Sequence, residues 1–157
     1  MTDQSQNLQN LPIKVHAQYV KDISFENPGA PATLALSGAA PQMDVGVHLD
    51  VRELAENPLG IKDFFEVVIE LRVRATKDGH PLFLADIDYA MAVSLADVPE
   101  KYRHPLLLIE VPRLGFPFVR QTLSDLVTAG GFPPLLLTPI DFTTLYRDRF
   151  GAGKEAA

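Results

Sequence analysis

The chain has 157 residues, 46% hydrophobic and 22% charged, which is enough apolar material for one core and predicts a single domain. Its formal net charge is −6, and no stripe of lysine or arginine follows a predicted element, which argues against nucleic acid as a partner. The absence of cysteine excludes disulfides, thiolate metal sites and a cysteine nucleophile, and it is compatible with a reducing compartment.

The N-terminal segment has no basic region followed by an apolar one, so it does not look like a secretory signal. We expect residues 1–12 to form a disordered tail. No apolar run approaches the roughly 20 residues that a membrane-spanning helix needs. We therefore expect a cytoplasmic protein without direct membrane insertion.

Four stretches alternate apolar and polar residues, which predicts half-buried antiparallel strands at 15–26, 43–52, 65–75 and 83–89. In the first stretch the residues predicted to point inward are Val15, Ala17, Tyr19, Ile23 and Phe25, with Lys21 as an interruption. The residues predicted to point outward include Gln18, Asp22, Ser24, Glu26, Glu66, Glu70, Arg72, Arg74, Leu82, Leu84, Asp86 and Asp88. The pattern predicts a sheet with one buried face and one acidic, solvated face.

The connections between the strands favour an antiparallel meander over a parallel sheet. Residues 27–42 are rich in Pro, Gly and Ala and too long for a tight hairpin. The pair Asp78-Gly79 predicts a two-residue hairpin between the third and fourth strands. No connection has room for a crossover helix.

Prolines change the character of the chain after the sheet. Pro99, Pro105 and Pro112 interrupt the apolar residues 95–115, which predicts an irregular segment instead of one long helix. A helix is predicted from Phe116 to the glycine pair at 130–131.

A second, short helix is predicted after a cap at Thr138 or Asp141 and continues through Phe150. The residues 151–157 should form a disordered tail. The predicted fold class is therefore α+β: a four-stranded antiparallel sheet with two C-terminal helices packed on one face, in a single domain at 13–150.

The sequence offers little for catalysis. Its histidines, His16, His48, His80 and His104, lie in four different segments. His48 and Asp50 share one side of a strand, but a tight transition-metal site needs three or four converging ligands. The only G-x-G is at 151–153, which gives no support for ATP binding. We predict no enzyme activity, no metal and no cofactor.

Several segments in order resemble the SecB family of bacterial protein-export chaperones. KDISFENP at 21–28, which follows Tyr19, is similar to the first-strand signature of that family. FEVVIELRVRAT at 65–76, FLADID at 83–88 and the pattern from Phe116 to Tyr146 extend the resemblance over nearly the whole chain. Departures are the residues 89–91, where the family often has a glycine pair, and LLLIEVP at 106–112, which replaces a more polar sequence.

The resemblance implies an ATP-independent chaperone, or holdase, that keeps newly made precursor proteins unfolded and export-competent. It implies delivery of these precursors to SecA, the motor of the Sec translocon, and a homotetramer built as a dimer of dimers. By likeness to the family, the SecA-binding residues are Asp22, Glu26, Leu84 and Asp86. The strand alternation independently turns all four outward, as an acidic patch around one leucine that would attract a basic partner.

A holder of unfolded chains needs long apolar grooves with few fixed polar contacts. The proline-broken segments offer such residues, and for any one of them core packing is the simpler interpretation. The predicted client-binding residues are Leu106, Leu107, Leu108, Ile109, Val111, Leu114, Phe116, Phe118, Phe132, Leu135 and Leu137.

Two other functions stay open at this point. One is a homo-oligomeric small-ligand-binding protein without chaperone activity, which would use the concave face of the sheet and prefer one small molecule over unfolded polypeptide. The other is a hydrolase or isomerase with dispersed carboxylates, in which single substitutions of Asp22, Glu66 or Asp86 would abolish turnover. Neither has a sequence motif.

Overall fold

The structure is a computed structural model that describes residues 11–35 and 40–151. Its strands are β1 (Ile13–Glu26), β2 (Gln42–Glu53), β3 (Phe64–Lys77) and β4 (His80–Leu95). Its helical elements are a 3-10 turn (Ala32–Ala35), α1 (Glu100–Pro105), a π-helical turn (Leu106–Glu110), α2 (Val111–Ala129), α3 (Phe142–Tyr146) and a final π-helical turn (Arg147–Gly151). The α+β class is confirmed, whereas the predicted tails at 1–12 and 151–157 lie largely outside the described residues.

The four strands form one antiparallel sheet in the order β1-β4-β3-β2. The predicted antiparallel pairing is confirmed, but the simple meander is wrong for β1, which pairs with β4. The long connection after β1 has a physical reason, because β1 and β2 lie at opposite edges of the sheet. Asp78 and Gly79, with φ of 50° and 76°, make the predicted tight hairpin between β3 and β4.

One face of the sheet packs against the helices, and we call it the inner face. The central strands β3 and β4 supply most of the core on this face. Helix α2 contributes apolar side chains at helical spacing, namely Val111, Phe116, Val119, Leu123 and Val127. The opposite side, called the outer face, has no helix on it within the described residues.

Two β-bulges in β1 make the simple alternation wrong for part of that strand. The register shifts between Val15 and Ala17 and again between Val20 and Asp22. Each bulge adds one residue and turns the following side chains to the other face. Tyr19, predicted inward, therefore lies on the outer face, where its hydroxyl donates to Glu66. Ala17 lies on the outer face with it, while Gln18, predicted outward, accepts a hydrogen bond from the inner-face Tyr89.

The part of the chain after the sheet, residues 100–151, which we call the helical half, begins with a helix earlier than the sequence predicted. Residues 100–129 are continuously helical, so the prediction of an irregular segment at 95–115 is wrong for residues 100–115, while residues 96–99 are irregular. Pro105 and Pro112 keep right-handed helical geometry around them, and the π-helical turn lies between them. A proline removes one backbone hydrogen bond from a helix, and the wider π-helical turn accommodates this loss. Burial of Leu107, Leu108 and Val111 offsets the free-energy cost of the two prolines.

The predicted end of α2 at the glycine pair and the predicted start of α3 after Asp141 are both confirmed. Gly131 adopts φ of 91° after α2, and the amide of Phe132 donates to the Val127 carbonyl at 3.2 Å. Asp141 caps α3 by accepting from the Thr144 amide at 3.1 Å. These caps fix the end of α2 and the start of α3, and therefore both ends of the segment that joins the two helices.

Candidate functional site

The strand register arranges the outer face in cross-strand rows. From β1 to β2, three successive rows are Glu26-Leu84-Arg74-Asp44, Ser24-Asp86-Arg72-Gly46 and Asp22-Asp88-Glu70-His48. Neighbouring rows are two residues, or about 7 Å, apart along a strand. The register therefore brings the four predicted partner-binding residues together, and we call Asp22, Glu26, Leu84 and Asp86 the outer patch.

The two β1 carboxylates of the outer patch are open to solvent. Asp22 and Glu26 are both exposed, and neither makes an ion pair with another described residue. Leu84 lies between Glu26 and Arg74 in its row and is half-buried. The patch thus combines free negative charge with a partly accessible apolar side chain.

The expected acidic character of the outer face is only partly right, because two arginines of β3 lie among the carboxylates. Arg74 binds Asp86 with both terminal nitrogens, Nη1 at 2.7 Å and Nη2 at 3.3 Å. Arg72 places Nη1 at 2.9 Å from Asp88. The hydrogen bond to Asp86 raises the pKa of the Arg74 guanidinium. The face carries mixed charge, and its carboxylates without an ion pair among the described residues lie on β1 (Asp22 and Glu26), on β2 (Asp44 and Asp50) and on β3 (Glu70).

Glu66 was predicted to face solvent, yet only 4% of its side chain is exposed. Three donors from the two edge strands cover it: the Tyr19 hydroxyl, Lys21 Nζ at 2.6 Å and Arg52 Nε at 2.9 Å. We call these four residues the Glu66 cluster. Because Lys21 is on β1 and Arg52 is on β2, the cluster ties both edges of the sheet to its centre.

The donors of the Glu66 cluster determine its charge state. Burial alone would raise the pKa of the Glu66 carboxyl, but hydrogen bonds from Lys21, Tyr19 and Arg52 outweigh burial and lower this pKa to about 2. Burial and the hydrogen bond to Glu66 raise the pKa of Tyr19 to about 12. The cluster is therefore an ionised carboxylate held by two cations and a neutral phenol at physiological pH.

The residues proposed for client binding divide into three groups by their exposure. Four of them are core residues, each 5% exposed or less, and offer no surface to a client in this structure: Leu107, Leu108, Val111 and Phe116. Leu114 and Phe118 are 40% and 52% exposed. The others are partly buried against the core: Leu106, Ile109, Phe132, Leu135 and Leu137. Within α2, helical phase separates the buried Val111 and Phe116 from the exposed Leu114 and Phe118, whereas Phe132, Leu135 and Leu137 lie in the non-helical segment after α2.

An aromatic contact joins the end of α2 to the sheet. The ring of Phe132 lies 5.2 Å from that of Phe83, which stacks on Phe25 at 5.6 Å. Gly130 permits this approach, since a Cβ there would lie 2.5 Å from the Phe25 ring. A cleft of about 390 Å³ opens at the same end of the sheet and is lined by Pro28, Gly29, Ala32, Thr33, His80 and Pro81.

Within residues 11–35 and 40–151, no group of three or more His, Asp or Glu side chains comes together as a metal site would require. His48 and Asp50, which share a strand side, gain no third ligand from that part of the chain. The helices described there are also too short or too polar to cross a bilayer.

Comparison with known proteins gives one family. The model of the family described as preprotein translocase subunit SecB matches residues 5–152. The protein-export protein SecB of Maricaulis maris is 46% identical over 145 residues, covering 92% of this chain and 81% of the relative. The SecB of Paramagnetospirillum magneticum is 42% identical and covers 95% of this chain and 93% of the relative.

A solved structure shares the fold at low sequence identity. It is the SecB-like chaperone of Mycobacterium tuberculosis in complex with a ChAD peptide from the HigA1 antitoxin. It aligns with a TM-score of 0.64 at 18% identity, over 82% of this chain and 91% of that chain. This likeness supports the α+β architecture described above.

The Glu66 cluster predicts a specific acid dependence of stability. The pKa of Glu66 lies below its ordinary value of 4.5, at about 2, so its stabilisation is complete above pH 4.5 and is lost as the pH falls toward 2. Glu66→Gln should lower the free energy of unfolding at pH 7 by about 2 kcal/mol, a value reduced for the solvent exposure of Lys21 and Arg52.

Denaturant unfolding at fixed protein concentration between pH 7 and pH 2 measures this difference. The gap between wild type and Glu66→Gln should close below pH 4.5. Glu70→Gln, on the same strand and face, is the matched control and should keep the wild-type pH dependence. An unchanged acid dependence in Glu66→Gln would contradict the role assigned to the cluster.

Proposed function

Because this chain belongs to the SecB family of protein-export chaperones, we propose that it acts as an ATP-independent holdase. It keeps newly made precursor proteins unfolded in the cytoplasm and delivers them to SecA at the translocon. The observation that carries this proposal is the family match across residues 5–152. The structure supports it with two separate candidate surfaces, a charged one on the sheet and an apolar one on the helical half.

We propose that clients bind the helical half through a reduced set of the predicted residues. Leu114 and Phe118 are one helical turn apart on α2, on the side turned away from Val119 and Leu123 in the core. The partly buried residues of this set are Leu106, Ile109, Phe132, Leu135 and Leu137. These side chains carry no polar groups, so they can bury apolar client residues without specifying a sequence register.

We propose that the chain assembles as a homotetramer, a dimer of dimers, as the family resemblance implies. β1 is a sheet edge of 14 residues. Val15, Val20 and Ile23 on this edge strand are exposed. The free edge of β1 offers unpaired backbone groups to another chain, and pairing with a second copy would also bury these three apolar side chains.

We propose that SecA docks on the outer patch. Asp22 and Glu26 supply unpaired negative charge that attracts a basic surface, and Leu84 supplies apolar area that is buried on contact. The outer patch lies on the side of the sheet opposite the helices. A partner there would therefore leave the proposed client-binding residues free.

The holdase proposal predicts retardation of folding without nucleotide. Wild-type protein mixed with a slow-folding precursor should slow folding in proportion to the amount added, as followed by the intrinsic fluorescence of the precursor. Phe118→Ser should weaken retention by roughly tenfold or more, because a large apolar contact is lost. Gln121→Ser, exposed on the same helix, is the matched control.

Native mass spectrometry should show the same assembly for both variants. If Phe118→Ser changes the assembly, Leu135→Ser replaces it as the test of the client surface. Folding of the precursor at its unassisted rate in the presence of wild-type protein would overturn the holdase proposal. Selective binding of one small molecule in place of unfolded polypeptide would support the ligand-binding alternative.

The docking proposal predicts that charge reversal on β1 weakens SecA binding. Asp22→Lys or Glu26→Lys should raise the Kd for purified SecA by roughly tenfold at low salt and by less at high salt, because exposed charges are screened. Glu56→Lys, in the loop after β2, makes the same change of net charge away from the outer patch and should have little effect. Tetramer assembly and client retention should be unchanged, and an undiminished SecA affinity in both β1 variants would refute the proposed site.

A further inference from the structure

Arg74 lies beside the outer patch, and its guanidinium hydrogen-bonds to a carboxylate and to a backbone carbonyl. In its cross-strand row it stands between Leu84 on β4 and Asp44 on β2. Both of its terminal nitrogens reach Asp86, at 2.7 and 3.3 Å, and Nη1 also donates to the Val73 carbonyl at 3.0 Å. The guanidinium is thus hydrogen-bonded to its own strand and binds the Asp86 carboxylate in a bidentate manner.

Arg72 provides a comparison within the same strand. It lies on the same face and is equally exposed, 38% for its side chain against 37% for Arg74. Like Arg74, it donates from Nη1 to the carbonyl of the preceding residue, Leu71, at 3.1 Å, but its close carboxylate is Asp88, and its Nε is 3.8 Å from Asp86. The two arginines therefore add the same charge to the outer face, but only Arg74 hydrogen-bonds to Asp86, the carboxylate that belongs to the outer patch, whereas Arg72 reaches Asp86 only as a longer ion pair.

We propose that Arg74 is a positioning residue for SecA docking, which it strengthens by holding the Asp86 carboxylate in place beside Leu84. The inference rests on the proposed function of the outer patch. A carboxylate that accepts two hydrogen bonds from one guanidinium keeps lone pairs free for a partner. Because Asp86 is already ordered, a basic group of SecA meets a prepared acceptor and loses less entropy on binding.

The charge of Arg74 has the opposite effect on SecA affinity from the proposed positioning of Asp86. A cation beside the outer patch repels a basic partner, so its removal makes the surface more negative and should strengthen long-range attraction. If Arg74 acted only through its charge, its neutralisation would tighten SecA binding. If it acts by positioning Asp86, the same change weakens binding.

Neutralisation of each arginine separates the two effects. Arg74→Gln should raise the Kd for purified SecA by about threefold to tenfold, mainly through faster dissociation. Arg72→Gln makes the same charge change and should bind SecA as tightly as wild type or more tightly. Arg74→Gln in an Asp86→Asn background should add no further loss, because the group that it positions is already altered.

The assay uses the full-length protein in its native assembly, by calorimetric titration at two salt concentrations. Client retention and assembly size serve as readouts that a general structural defect would change. If Arg74→Gln does not fold, Arg74→Lys replaces it: this variant keeps the charge, loses the two-point contact, and should still weaken SecA binding.

The outcomes distinguish this inference from the function on which it rests. If wild-type protein does not bind SecA, the proposed docking function fails, and the inference fails with it. If wild-type protein binds SecA but Arg74→Gln binds equally well or more tightly, the inference alone is overturned. The inference would also be overturned if Arg74→Gln lowered the SecA affinity equally in the wild-type and the Asp86→Asn backgrounds. Arg74 would then act independently of Asp86.

Discussion

Helix α2 packs on only one face of a sheet whose central strands are β3 and β4, and the rest of the structure depends on this one-sided burial. Val119, Leu123 and Val127 bury the inner face over those strands, where the hydrophobic effect provides most of the stability. The outer face has no apolar layer within the described residues. It is held instead by charge pairs, which leave carboxylates such as Asp22 available to a partner. The same helix exposes Leu114 and Phe118 on its far side.

Along the strands, the two ends of the outer face are held by different ion pairs. At one end the Glu66 cluster joins both edge strands to β3 through a buried, ionised carboxylate. At the other end Arg74 holds Asp86 within the outer patch. The β1 bulge that follows Val20 lies between these two regions. It turns Lys21 and Asp22 to the same face, so that one contributes to the cluster and the other to the patch.

Sequence patterns predicted the features that depend on local chemistry, and missed those that depend on distant pairing. Period-two alternation identified the strands, the pair Asp78-Gly79 identified the hairpin, and the family resemblance is confirmed by the family match. The one local sign of the bulges in β1 is Lys21 within the apolar set, and it does not show where the register shifts, so the alternation assigns Tyr19 to the wrong face. Without the register of β3 against β4, the Arg74–Asp86 pair could not be seen. Prolines also misled the helix prediction, because tertiary burial outweighed their local cost.

We propose that two functions occupy opposite sides of one small sheet, with precursor on the helical half and SecA on the outer patch. The most direct test compares the SecA affinity of the empty protein with that of the same protein saturated with an unfolded precursor. Separate surfaces predict a ternary complex and Kd values that agree within about twofold, since coupling between the sites is weak. Competition, in which saturating precursor abolishes SecA binding and no ternary complex forms, would contradict the account.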